Sequence, residues 1–234
     1  MKNNAFQNLP KYRTNKEIPL IEWAYLKLKE MIFHQVVVPG QKLIYKDLCE
    51  ALGLSRTPII NALTRLEQEG HVKSESFRGF YVNPISVKEI TDKFGVREAL
   101  EVYAIGIALP NSTPKDLEVL EDMILEHGEY NPPGYDKKKL YLDSRVHLQI
   151  AKMTGNDNLV DMLRMNLEHV YLRLALNTSN PSRMSPAIKE HDELLTYLKN
   201  KDMENCIRLM RKHIRLGRDH VINSLSKDES YFEL

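Results

Sequence analysis

The sequence predicts a mostly α protein in two parts: a small head of three helices with a β-hairpin, and a larger all-helical body. Three observations predict it. From residue 19 onward apolar residues recur at helical spacing over most of the chain. One stretch departs from that rhythm: "HVKSESFRGFYVNP" (71–84) is rich in β-branched and aromatic residues and turns at Arg78-Gly79. Charge divides at the same place. Residues 1–84 hold 12 Lys+Arg and 8 Asp+Glu, a net of +4, whereas residues 85–234 hold 21 and 24, a net of −3. A small basic unit with a larger, slightly acidic one fits a nucleic-acid-reading head and a separate body.

Composition excludes several classes. At 234 residues, 42% apolar and 28% charged, the chain is of ordinary globular make-up. No apolar run approaches the roughly 18–20 residues of a membrane span. The N-terminal "MKNNAFQNLPKYRTNKE" lacks the apolar block of a secretory signal. Cys49 and Cys206 fall far apart in predicted helices and suggest no disulfide framework. A cytoplasmic protein, with no membrane partner, is the expectation.

Residues 1–18 read as a flexible, solvated arm carrying Lys11, Arg13 and Lys16. From Pro19, the residues Leu20, Trp23, Ala24, Leu28, Met31 and Ile32 take helical spacing, until Pro39-Gly40 marks a turn. "YKDLCEALGL" is a short helix ended by Gly53. The next helix, within "LGLSRTPIINALTRLEQEG" (52–70), stops at Gly70 in the manner of a glycine C-cap. Three helices and a hairpin are the order of a winged helix-turn-helix, placed at 19–84. Pro84 and Ser86 set a linker near 83–87. Beyond it lie helical segments near 87–109, 114–129, 137–154, 156–177, 186–199 and 201–225, parted by breaks rich in Pro, Gly, Asn and Asp. An antiparallel helical bundle over 88–226, with a tail at 227–234, is the economical architecture.

The third helix begins unusually. Ser55 suits the N-cap, and Pro58 sits in the first turn, where a missing N–H costs the ladder nothing. Ile59, Ala62, Leu63 and Leu66 form the core stripe, while Arg56, Thr57, Asn61 and Arg65 fall away from it. In a helix-turn-helix that end of the second helix enters the major groove. The plain alternative is a capped surface helix with solvated arginines.

Residues 23–82 resemble the DNA-binding domain of the GntR superfamily of bacterial transcription regulators. The likeness rests on "PGQKL" (39–43), "DLCEALGLSRTP" (47–58), the "AL" and "RLEQEG" of 62–70, and "RGFYV" (78–82). It implies operator contacts from Arg56, Thr57 and Arg65, helped by Lys46, with Arg78 and Gly79 at the wing tip. Where the family commonly has Arg-Glu before "AL", this chain has Ile60-Asn61, so the family's usual operator sequence should not be assumed for it. Phosphate contacts supply much of the affinity and survive such a swap.

Three histidines of the body fall on stripes that should be core. His191 lines up with Ile188, Leu195 and Leu198, and His213 with Cys206, Met210 and Gly217. His147 follows Asp143 by four residues, on one helix face with Leu140 and Ala151. A single such histidine is ordinarily a satisfied core residue. Three, with a carboxylate one turn from one of them, suggest a shared reason. A divalent metal would satisfy all four groups, imidazole being a common ligand.

Over 88–225 the chain resembles the FCD ligand-binding domain of FadR-type GntR regulators, on "VREALEVYAIGIA" (96–108), "DSRVHLQIAKMTGN" (143–156), "EHDELL" (190–195) and "MRKHI" (210–214). The resemblance implies a metal held inside the bundle by Asp143, His147, His191 and His213, and leaves out His34, His71, His127, His169 and His220. His220 shares a stripe with His213 and can line the cavity. Zn²⁺ is the first candidate, with Ni²⁺ and Mn²⁺ also consistent. Open coordination positions would suit a small carboxylic-acid effector. Arg97 stands in the stripe of Ile90, Phe94, Glu101 and Ala104, where it either pairs with Glu101 or faces the effector; the resemblance favours the cavity. Glu101 and Arg173 are further effector-binding candidates.

The expectation is a non-enzymatic, homodimeric regulator whose two heads grip a two-fold symmetric double-stranded operator, half-sites about one helical turn apart. Its rivals are a metal-dependent hydrolase, since three His and one Asp can activate water, and a regulator whose metal is purely structural.

Overall fold

The computed structural model of the protein describes residues 18–33, 36–84, 86–134, 136–174 and 181–225. The predicted arm, Ile18 apart, and the predicted tail lie outside them. The chain divides into two compact units, Met1–Ile85 and Ser86–Leu234.

In the first unit, α1 (Leu20–Phe33), α2 (Tyr45–Leu52) and α3 (Arg56–Gln68) pack around one apolar core. Leu28, Met31, Leu48, Leu52, Ile59, Leu63 and Leu66 are fully buried there, each side chain contributing about 1.5–3 kcal/mol by leaving water. Gly53 ends α2 in the left-handed region (φ 68°), its N–H bonded to the Cys49 carbonyl, a geometry that disfavours any Cβ. Ser55 stands at the N-cap of α3 as predicted, yet its hydroxyl makes no capping bond. The predicted hairpin is β2 (Val72–Glu75) with β3 (Gly79–Val82), antiparallel, Val72 facing Val82 and Glu75 facing Gly79. A third strand was not predicted: β1 (Lys42–Leu43) pairs antiparallel with β3, giving the order β1-β3-β2. Two residues are too few for alternation to register.

The second unit holds α4 (Val87–Asn111), α5 (Pro114–Glu129), α6 (Lys137–Lys152), α7 (Asp157–Leu174), a 3₁₀ turn (Pro181–Arg183), α8 (Met184–Lys199) and α9 (Met203–Leu225). The helix starts are written locally. Ser86 caps α4 by accepting from the Glu89 N–H, Thr113 and Asp116 form a reciprocal capping box on α5, and Asp136 accepts from the Lys139 N–H at α6. The long helix α4 packs against α6, α7 and α9, while α5 packs on α6 and α8. Polar groups at the middle of α4 are thereby enclosed.

Candidate metal centre and nucleic-acid interface

Helical spacing puts the polar groups of the body in pairs one turn apart: Arg97 and Glu101 on α4, Asp143 and His147 on α6. His191 comes from α8 and His213 from α9. Packing brings these faces together. Asp143, His147, His191 and His213 each offer a donor atom within 4.8 Å of the others. Nε2 of His147 lies 3.6 Å from Asp143 Oδ2, and Nε2 of His191 lies 3.8 Å from Oδ1. The three imidazole centroids are 4.7 to 5.2 Å apart, and all three histidines are buried.

The other ring nitrogens are already committed. Nδ1 of His147 is 2.5 Å from Glu101 Oε2, whose second oxygen accepts from Arg97 Nε at 2.5 Å. Nδ1 of His213 is 2.7 Å from Glu190 Oε2, which also accepts from Arg183. Nδ1 of His191 meets Nδ1 of His127 at 3.4 Å. Nε2 of His147 and of His191 is left buried with no hydrogen-bond partner. Two inward Nε2 atoms without partners, Nδ1 atoms held by carboxylates on His147 and His213 and by His127 on His191, and a carboxylate oxygen within reach suit a metal ligated by neutral imidazoles. The donor set fits a divalent ion.

Electrostatics point the same way. Burial lowers His191 well below its ordinary value, with the His213 charge adding to the effect, and burial also lowers His213 despite the Glu190 bond. Burial would raise Asp143, but the neighbouring histidines and Arg97 hold it well below the carboxylate range. Glu101 is likewise opposed by burial and is drawn down to about 2 by Arg97 and His147. Imidazoles lowered as His191 and His213 are, beside a lowered Asp143, are in the direction that metal ligation needs.

Four neighbours carried no signal in the sequence. His127 lies outside the predicted ligand set, yet its Nε2 is 4.0 Å from Asp143 Oδ1. The Tyr171 hydroxyl donates to Asp143 Oδ2 at 2.5 Å. Arg183 and Glu190 back His213. Beside the cluster is a cavity of about 70 Å³ lined by Arg97, Asp143, Tyr171, Arg183, His213 and His220 among others. Arg97 therefore both pairs with Glu101 and lines the cavity. Both Glu101 oxygens are taken, which makes it a group that orients His147 and Arg97. The side chain of Arg173 lies outside the described residues.

On the head, Arg56, Thr57 and Asn61 are exposed along the front of α3, and Lys46 is exposed on α2. The Arg56 guanidinium stands 4.8 Å over the Tyr45 ring and has no ion pair among the described residues. Arg65 is engaged within the head: 2.6 Å from Glu22, 3.4 Å from Glu69 and stacked 3.6 Å over the Tyr25 ring. Arg78 is exposed at the wing tip, 3.6 Å from Glu75, beside a fully exposed Phe77 (φ 62°) and Gly79 (φ 98°).

A helix-turn-helix head with a wing, in one chain with a helical body enclosing a donor cluster, is the build of a DNA-binding transcriptional regulator with a second, all-helical domain. The chain belongs to the GntR family of bacterial regulatory proteins, in the group with an FCD domain. Residues 20–82 match the bacterial regulatory proteins of the gntR family, and residues 92–216, more than half of the chain, match the FCD domain. It is 23% identical over 217 residues to the HTH-type transcriptional regulator YdhC of Bacillus subtilis, covering 92% of this chain and 97% of that one. With the regulator McbR of Escherichia coli it shares 28% identity over 190 residues, 77% of this chain and 85% of that one. The structure of E. coli McbR/YncC superimposes with a TM-score of 0.69 at 23% identity, over 89% of this chain and 99% of that one, and shows the shared fold. No described helix is long and apolar enough to cross a membrane.

Proposed function

We propose that this transcriptional regulator acts as a homodimer on a two-fold symmetric operator, and that its body holds a divalent metal, Zn²⁺ first, at which a small carboxylic acid binds to modulate DNA binding. One observation carries the reading: three enclosed imidazoles and a carboxylate brought together, with Nε2 of His147 and of His191 buried and unpartnered, beside a cavity lined by arginine.

The residues divide the work. Asp143, His147, His191 and His213 would hold the metal, while Glu101, Glu190 and His127 fix the rings by their Nδ1 atoms. Bound there, the cation would supply positive charge for an acid's carboxylate. Arg97 orients the acid from the cavity wall. In the head, Arg56, Thr57 and Asn61 meet base edges, and Lys46 and Arg78 meet phosphates, with Gly79 letting the wing tip turn. Arg65 braces α3 against α1 through Glu22 and Tyr25. The acid shifts operator affinity by its differential affinity for two arrangements of the dimer.

Water-activating hydrolysis is disfavoured by the same geometry. The carboxylates nearest the imidazoles, Glu101 and Glu190, are each tied to an arginine and a histidine, so neither is free to take a proton from water. The test is a mobility shift on the DNA upstream of the protein's own gene, with and without a panel of small carboxylic acids. Retardation that changes with an acid is the expected result, and Arg56→Ala should abolish retardation while the far-ultraviolet spectrum is kept. Binding insensitive to every acid would leave a structural metal, and undiminished binding by Arg56→Ala would remove the assigned role of α3.

A further inference from the structure

The cavity beside Asp143 holds more cationic donors than the cluster uses. Arg97 reaches it from α4 with its side chain only 4% exposed; Nε is bonded to Glu101 and Nη1 lies 3.5 Å from the Tyr171 hydroxyl, but Nη2 is buried without a partner. Arg183 reaches it from the turn ahead of α8 with its side chain 10% exposed. Its Nη2 donates to Glu190 and, at 3.2 Å, to the His213 carbonyl, while Nε and Nη1 are buried with no partner. Two guanidiniums from separate elements, both lining one small space, thus leave three nitrogens without acceptors. A guanidinium cannot escape by losing its proton, and buried polar groups are normally met. Something that accepts hydrogen bonds completes this cavity.

Counting acceptors identifies its chemistry. A monocarboxylate offers about four acceptor sites, and with one given to the metal about three remain, fewer than the N–H bonds left unmet on Arg97 Nη2 and on Arg183 Nε and Nη1. We infer that the effector is a short dicarboxylic acid, one carboxylate between the metal and Arg97 and the other on Arg183. This rests on the reading that the body binds a small acid at the Asp143 cluster, and deepens it. A cavity of about 70 Å³ keeps the chain between the two acid groups short.

The test compares acids of equal carbon number on the metal-loaded, full-length protein by titration calorimetry: succinate against butyrate, and malonate against propionate. The diacid of each pair should bind about ten- to a hundredfold more tightly, the range expected for added charge-assisted hydrogen bonds. Arg183→Gln should collapse that ratio, weakening the diacid far more than the monoacid. If diacid and monoacid bind equally, the two-acid inference fails while the effector reading stands. If none of the four binds, both fail. Should Arg183→Gln not fold, the ratio measured on the unaltered protein decides alone.

Discussion

His147 and His191 each turn one ring nitrogen to a polar neighbour and the other toward Asp143, and that division sets what the rest of the cluster must do. Glu101 is the most consequential neighbour, because one carboxylate orients both a proposed ligand and the arginine of the cavity. Glu101→Gln should lower metal affinity about 10–100-fold, the usual cost of an outer-shell partner. Competition against a chromophoric chelator measures it, and an unchanged Kd would show that Glu101 does not orient His147. At this scale the sequence was informative where chemistry follows helical spacing. Asp143 and His147 sit four residues apart, so their shared face could be read directly. His127, Tyr171, Arg183 and Glu190 come from three other helices and a turn, and no spacing along the chain encodes a contact between them. Arg65 shows the converse: exposure on α3 was legible, but its commitment to Glu22 on α1 was not.

Helix order, the glycine stop at Gly53 and the Ser86, Thr113 and Asp136 starts were legible because caps and apolar periodicity are local signals. Strand β1 was not, since two residues become a strand only by pairing with β3. The missing Ser55 capping bond was equally out of reach, because a good cap residue does not oblige its hydroxyl to turn inward. The head depends on α3 packing on α1, and Leu63 is wholly buried there. Leu63→Ala should destabilise the head by about 2–5 kcal/mol, transfer and cavity together. Trp23, the single tryptophan, packs against this core, so its fluorescence in a urea titration follows the head. A midpoint that stays in place would mean that the α1–α3 contact is not what holds the unit together.

For the whole molecule, a winged head and an FCD body in one chain place it among bacterial GntR-family regulators. At the Ile60-Asn61 departure from the family's common Arg-Glu, Asn61 is exposed on α3, so an operator search on this chain should not be restricted to the family's usual sequence. The charge division between the two units was visible in the sequence, whereas convergence of three helices on one point needed the fold. The most direct measurement is metal content by elemental analysis, paired with melting temperature, for the native protein and His191→Ala. The native protein should carry roughly one divalent ion per chain, and His191→Ala should lose the ion and melt at lower temperature. A native protein that carries no ion, and melts the same with or without chelator, would contradict it.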